Sequence, residues 1–139
     1  MFDIKSLAIL ATSDFKVRDA AGELQKDADG NQLTITLYSP GTQKFVNAKH
    51  AYDEKVNSRN FARISGKADG KMSAEEINDE MADFLAKVTK SFNFFGYGEE
   101  QGEALFKSVY ADIEIGHISD GVNKFLGDRG NFKKPSAEA

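Results

Sequence analysis

The position of the prolines sets the outline of this fold. The chain has only two, Pro40 and Pro135, and proline interrupts helices and central strands more strongly than any other residue. The long stretch between them is therefore free to form uninterrupted elements. The predicted fold class is α+β, with a small N-terminal antiparallel β-hairpin or meander followed by a bundle of about four α-helices.

The residues before Pro40 carry the signals of strands and tight turns. Apolar and polar residues alternate from Leu33 to Tyr38, which is typical of a strand with one buried face. The segment from Phe15 to Arg18 alternates in the same way. Asp19–Gly22 and Asp27–Asn31 are rich in the Asp, Gly and Asn that turns require. We find no internal repeat in the chain.

The residues after Pro40 show helical periodicity. Ser39 is a suitable N-cap with Pro40 as the first helical residue, and Ser73 with Glu76 forms the pattern of a capping box. The apolar spacing predicts four helices, over about 41–64, 74–90, 100–111 and 113–127. We expect one domain over residues 1–132, with a β-rich part (1–38) and a helical part (39–132), followed by a disordered tail at 133–139.

Composition narrows the classes of function. The chain has no cysteine, which excludes disulfides and thiolate sites. Its net charge of -4 argues against a nucleic-acid partner. The apolar run Leu7–Ala11 is too short to cross a membrane, so we expect no membrane partner and no targeting segment.

Two segments resemble calcium-binding loops and fail in different ways. Ser65–Glu76 places Gly70 and Glu76 correctly, but Lys67 stands where a carboxylate is needed. In Asp27–Asn31 the glycine comes two positions too early. We therefore interpret the first as a glycine turn before a capped helix and the second as a hairpin turn, and predict neither metal nor cofactor.

Catalytic patterns are equally weak. His117 and Ser119 are two residues apart on a predicted helix, so they do not face each other and cannot form a relay with Asp120. The carboxylates at 75–83 and 99–103 fall in the first turns of predicted helices, where the helix dipole favours them. We interpret them as solvated helix faces, and the chain is predicted not to be an enzyme.

The aromatic segment from Phe92 to Tyr97 is the most informative feature of the sequence. It has four aromatic residues in six positions. One interpretation is core filling at a corner between helices. The other is a surface for a protein partner, because aromatic side chains are strong interface anchors. Stacking on nucleic acid is disfavoured, since only Lys90 flanks the segment.

The C-terminal half of the chain, over about residues 85–133, contains four distinctive motifs: Ser91–Tyr97, Leu105–Asp112, Ile115–Ile118 and Val122–Phe132. In these motifs the chain resembles a family of tail assembly chaperones of long-tailed bacteriophages. The resemblance implies a non-catalytic protein of the host bacterial cytoplasm that binds the tape-measure protein, assists tail-tube polymerisation and is not retained in the mature virion.

On that basis six residues are predicted to line a partner groove or to mediate self-association into a homo-oligomer: Phe92, Phe94, Phe95, Tyr97, Phe125 and Phe132. A helix of the tape-measure protein would lie in such a groove. Two other classes remain open: a phage connector or neck protein, and a small phage-encoded inhibitor of a host protein.

Overall fold

The fold combines one antiparallel sheet with four helices, as seen in a computed structural model that describes residues 1–66 and 73–135. The strands are β1 (Thr12–Lys16), β2 (Thr34–Tyr38) and β3 (Thr89–Asn93), in the order β1-β2-β3. The helices are α1 (Gln43–Ile64), α2 (Ala74–Lys87), α3 (Gly102–Ala111) and α4 (Gly116–Leu126). Short 3-10 turns occur at Ile4–Leu7, Ile113–Ile115 and Arg129–Phe132. The predicted α+β class is confirmed.

The central strand is β2, and it carries the alternation that the sequence predicts. Ile35 and Leu37 are fully buried, whereas Thr34 and Thr36, which alternate with them, are only partly covered. Ile35 lies opposite Phe15 of β1 and opposite Phe92 of β3. Because β2 is paired on both edges and packed on one face, its apolar residues form the floor of the core.

The second helix is shorter than predicted, because strand β3 follows it. That helix was expected to reach residue 90, but it ends at Lys87 and the chain continues as a strand from Thr89. The β-branched and aromatic residues of the segment favour pairing with β2 over helix. The sheet thus takes one strand from the part of the chain that was predicted to be helical.

The link between β1 and β2 contains a tandem repeat that the sequence prediction missed. Asp19 Oδ1 accepts the N–H groups two and four residues on, at 2.9 and 3.0 Å. Asp27 does the same at 3.0 and 2.9 Å. Gly22 and Gly30 close the two turns with φ near +88° and +86°, which only glycine adopts freely. The eight-residue units are Arg18–Gln25 and Lys26–Leu33; they share turn-forming positions rather than an apolar pattern.

One predicted helix cap is wrong and one is confirmed. Helix α1 begins at Gln43 rather than at Pro40, and Thr42 Oγ1 accepts the Phe45 N–H at 3.2 Å. Ser39 is buried instead and accepts the Gly41 N–H at 3.1 Å. Ser73 caps α2 as expected, because its Oγ accepts the Glu76 N–H at 3.1 Å.

The core lies between the sheet and helices α2, α3 and α4. Its fully buried large side chains include Leu85, Val88, Tyr110, Val122 and Phe132. Helix α1 packs on α2 through Phe84, whose ring centroid lies 5.7 Å from that of Phe45 and 5.6 Å from that of Tyr52. The predicted Gly66–Gly70 connector and the predicted tail at 133–139 fall mainly outside the described residues.

Candidate functional site

The aromatic segment after β3 divides into two inward and two outward residues. Phe92 and Phe95 stack with ring centroids 4.6 Å apart, and Phe92 also lies 4.6 Å from Phe106 of α3. These two residues therefore pack the loop onto the body of the protein. Phe94 and Tyr97, by contrast, keep 59% and 38% of their surface exposed.

Phe94 has an unusual backbone. Its φ is +73°, and it is the only non-glycine residue in the described ranges with a positive φ. A bulky side chain in this region is a steric outlier that costs on the order of 1–3 kcal/mol. The conformation turns the chain between two inward-facing neighbours, so that Phe92 and Phe95 reach the core while Phe94 projects into solvent.

Tyr97 fixes the position of this loop. Its hydroxyl donates to Asp112 Oδ2 at 2.8 Å, while Asp112 Oδ1 accepts the Glu114 N–H at 2.9 Å. The hydrogen bond from Tyr97 to the Asp112 carboxylate, followed by the negative charge of that group, raises the pKa of Tyr97. The bond brings the aromatic loop next to the 3-10 turn that begins at Ile113.

Ile113 is a site residue that the sequence prediction missed. It is 83% exposed, although it is one of the most apolar residue types and lies between Asp112 and Glu114. The sequence did contain a signal for its exposure. Ile113 lies between two acidic residues and outside the apolar stripe of the helix that was predicted there. We call the three exposed residues Phe94, Tyr97 and Ile113 the aromatic patch.

The segment that carries the aromatic patch is rich in acidic residues. Residues 94–115 contain five acidic residues and one basic residue, a net charge of -4 that equals the net charge of the whole chain. The basic residue, Lys107, lies 3.3 Å from Asp79 of α2. Glu100 and Glu114 both contribute to raising the pKa of Tyr97, so their charges act at the patch itself.

Phe125 and Phe132 lie elsewhere. Phe125 packs edge-on against Phe15 at 5.7 Å and against Phe132 at 5.5 Å. Phe132 is fully buried, and its placement among partner-binding residues has to be corrected: no surface of it is open to a partner. The sequence showed an apolar residue after the last helix, but only the packing of the final 3-10 turn against β1 reveals that it is core.

The residues considered for catalysis point in different directions. His117 Nε2 lies 3.2 Å from the Arg18 carbonyl oxygen, and the Ser119 hydroxyl donates to the Gly116 carbonyl at 2.9 Å. Within residues 1–66 and 73–135, no group of three His, Asp or Glu side chains is placed to hold a metal ion. Half of the calcium-like segment Ser65–Glu76 lies outside the described residues, whereas the Asp27 segment forms the predicted hairpin turn.

Glu80 and Asp83, two carboxylates of α2, are engaged in ion pairs. Glu80 pairs with Arg59 of α1, and Asp83 lies 3.1 Å from Lys87 and 3.5 Å from Lys55. Burial raises the pKa of Asp83, but the hydrogen bond and charge of Lys87, with the charge of Lys55, outweigh it, so that the net pKa is lowered. These groups hold α1 against α2.

Comparisons with protein-family models, curated proteins and solved structures found no match. Among the helices that the structure describes, none is both long enough and apolar enough to cross a bilayer. The chemistry of the aromatic patch is therefore the feature from which function has to be argued.

Proposed function

We propose that this protein is a non-catalytic tail assembly chaperone of a long-tailed phage, which binds the tape-measure protein and assists tail-tube polymerisation. It would act in the host bacterial cytoplasm and be absent from the mature virion. The resemblance that suggests this role covers residues 85–133, and the aromatic patch lies within that stretch. The single observation that carries the proposal is Phe94, exposed at 59% on a strained backbone.

Strain at an exposed aromatic residue supports a binding role. A phenylalanine at positive φ persists only because the surrounding structure holds it there, and here Phe92 and Phe95, which flank Phe94 in sequence, stack on each other. A position that needed only a turn would be served better by glycine or asparagine. Aromatic side chains presented in this way are frequent anchors of protein interfaces.

The charge around the patch indicates the chemistry of the partner. Exposed apolar side chains within an acidic segment suit an amphipathic helix whose apolar stripe is bordered by Lys and Arg. A long helical tape-measure segment with that pattern would meet the requirement. The same negative charge disfavours nucleic acid, whose phosphates require basic side chains.

The test is co-expression with the tape-measure protein encoded nearest downstream in the source genome, with soluble yield and co-purification as readouts. The patch variants are Phe94→Asn and Ile113→Asn, both at exposed positions. Phe61→Gln is the matched control, because Phe61 is 67% exposed on α1, outside the aromatic loop. We expect a soluble complex with the wild type and the control, and at least a tenfold weaker complex with each patch variant.

Each outcome has a defined meaning. If the complex forms but the patch variants bind as the wild type does, the function stands and the surface is wrong. If the tape-measure protein stays insoluble and nothing co-purifies, the chaperone role is wrong. Detection of the chain in purified virions would then favour a connector or neck protein, and a defined host partner in a pull-down would favour an inhibitor.

A further inference from the structure

A second surface lies away from the aromatic patch, between β1, the Asp19 turn and α4. It is a groove of about 550 Å³, open to solvent, with a floor formed by Phe15, Ile118 and Phe125. Cavities of this size hold ligands or short segments of chain. We call it the α4 groove.

The floor of the α4 groove is closely packed. The Phe15 ring lies so close to Gly121 that a Cβ at that position would be 2.9 Å from Phe15 Cζ. The same ring packs edge-on against Phe125 at 5.7 Å. The apolar floor is thus preformed, and an occupant would not have to reorganise it.

The charges at the rim of the α4 groove balance. Arg18 and Lys124 face it together with Asp19 and Asp128. Arg18 donates to the Gly22 carbonyl at 2.7 Å, and the Asp19 carboxylate accepts the N–H groups of its own turn. This composition suits an apolar segment with balanced charges better than an anion or a cation.

The first seven residues have that composition and are uncovered. All seven are exposed, including the large apolar residues Phe2, Ile4 and Leu7 at 71%, 72% and 64%. They carry one acid, Asp3, and one base, Lys5. Asp3 Oδ1 accepts the Lys5 N–H at 3.1 Å, so the segment is folded on itself rather than onto the body of its chain.

The root of this leading segment (residues 1–7) lies close to the groove. The Leu10 N–H donates to the Phe132 carbonyl at 2.7 Å, and the neighbouring Asn131 lines the groove. The leading segment therefore leaves the protein beside the α4 groove.

We infer that the leading segment of one copy docks in the α4 groove of a second copy. The apolar side chains Phe2 and Ile4 would cover the floor, and Asp3 and Lys5 would meet the charged rim. The contact is heterologous, since one copy offers the segment and the other the groove, so repetition would build a ring or an open chain. This inference does not depend on the proposed function.

The test uses light scattering on a gel-filtration column over a range of protein concentrations. One variant, Phe2→Ser with Ile4→Ser, disables the segment. A second, Ala20→Arg, fills the groove from an exposed turn position. The control is Ala28→Arg, because Ala28 holds the equivalent position in the second turn of the tandem repeat and does not line the groove. Circular dichroism checks that all three are folded.

We expect the wild type and Ala28→Arg to form species of at least twice the monomer mass as concentration rises, and both disabling variants to stay monomeric. An equimolar mixture of the two disabling variants should form a dimer and nothing larger, because it contains one intact segment and one intact groove per pair. A wild type that is monomeric throughout, or a mixture that remains monomeric, would overturn the inference.

Discussion

Tyr110 donates a hydrogen bond to Thr89 in the centre of the protein. The two hydroxyl oxygens are 2.7 Å apart, and the single proton of Thr89 goes to the Leu85 carbonyl at 2.8 Å. The phenol of Tyr110 must therefore be the donor to Thr89. Both residues are buried, and the chain of bonds ties the end of α2 and the start of β3 to α3.

Removing the hydroxyl of the acceptor, Thr89, should lower the free energy of unfolding more than removing that of the donor, Tyr110. Thr89→Val leaves the Tyr110 hydroxyl buried without a partner, and we expect the free energy of unfolding to fall by about 1–3 kcal/mol. Tyr110→Phe leaves Thr89 bonded to Leu85 and should cost about 0.5–1.5 kcal/mol. Urea unfolding of the two single variants and the double variant measures these losses in the free energy of unfolding. If the losses of the two single variants simply add in the double variant, the bond between Tyr110 and Thr89 contributes nothing.

Alkaline pH should destabilise the wild type more than Tyr110→Phe. Burial raises the pKa of Tyr110 in the folded state. In the unfolded state the pKa of a tyrosine is about 10. As pH rises, Tyr110 therefore loses its proton in the unfolded state first. The stability contributed by neutral Tyr110 is present below about pH 10 and is lost as pH rises toward the folded pKa. Between pH 9 and 11 the free energy of unfolding should fall more steeply with pH in the wild type than in Tyr110→Phe, by up to about 1.4 kcal/mol per pH unit. Equal slopes for the two proteins would contradict the prediction.

Two glycines of α4 should respond oppositely to alanine. In Gly121→Ala the new methyl group would stand 2.9 Å from Phe15 Cζ, and we expect a loss of about 1–3 kcal/mol from overpacking, partly offset by better helix propensity. Gly116→Ala meets nothing within 4 Å and should be neutral or stabilising. Thermal unfolding of both variants decides the matter, and an equally stable Gly121→Ala would mean that the Phe15 ring moves freely.

Phe94→Asn should separate stability from binding. Asparagine tolerates a positive φ better than phenylalanine, so the free energy of unfolding should stay level or rise by about 1 kcal/mol, while binding of the proposed partner weakens. The comparison is Phe94→Val, whose β-branched side chain fits a positive φ poorly and should lower stability. A marked loss of stability in Phe94→Asn would mean that this side chain is needed for folding rather than for binding.

Local signals predicted much of the fold. The alternation in β2, the Ser73 cap and the spacing of α2, α3 and α4 depend on residues a few positions apart, so they can be recognised without knowledge of the tertiary structure. The cap at Ser39 was wrong because a serine and a proline in the right order can also form a buried turn, and Thr42 offered a competing cap three residues before Phe45.

The candidate site was only partly predictable. An unusual density of aromatic residues marked residues 92–97, but sequence gives no direction to side chains outside regular periodicity. Phe92 and Phe95 face inward and Phe94 outward because a single residue adopts a positive φ. Ile113 joined the site only through the hydrogen bond of Tyr97 to Asp112, fifteen residues away along the chain.

By itself, the sequence determined the α+β class, one face of the central strand and the helical stretches, because each depends on short-range periodicity and turn chemistry. Tertiary structure decided that residues 89–93 form a strand, that Phe132 is core and that Phe94 is exposed. Those outcomes depend on which distant surfaces meet: β3 forms because β2 offers an edge to pair with, and Phe132 is buried because the last 3-10 turn folds back to Leu10.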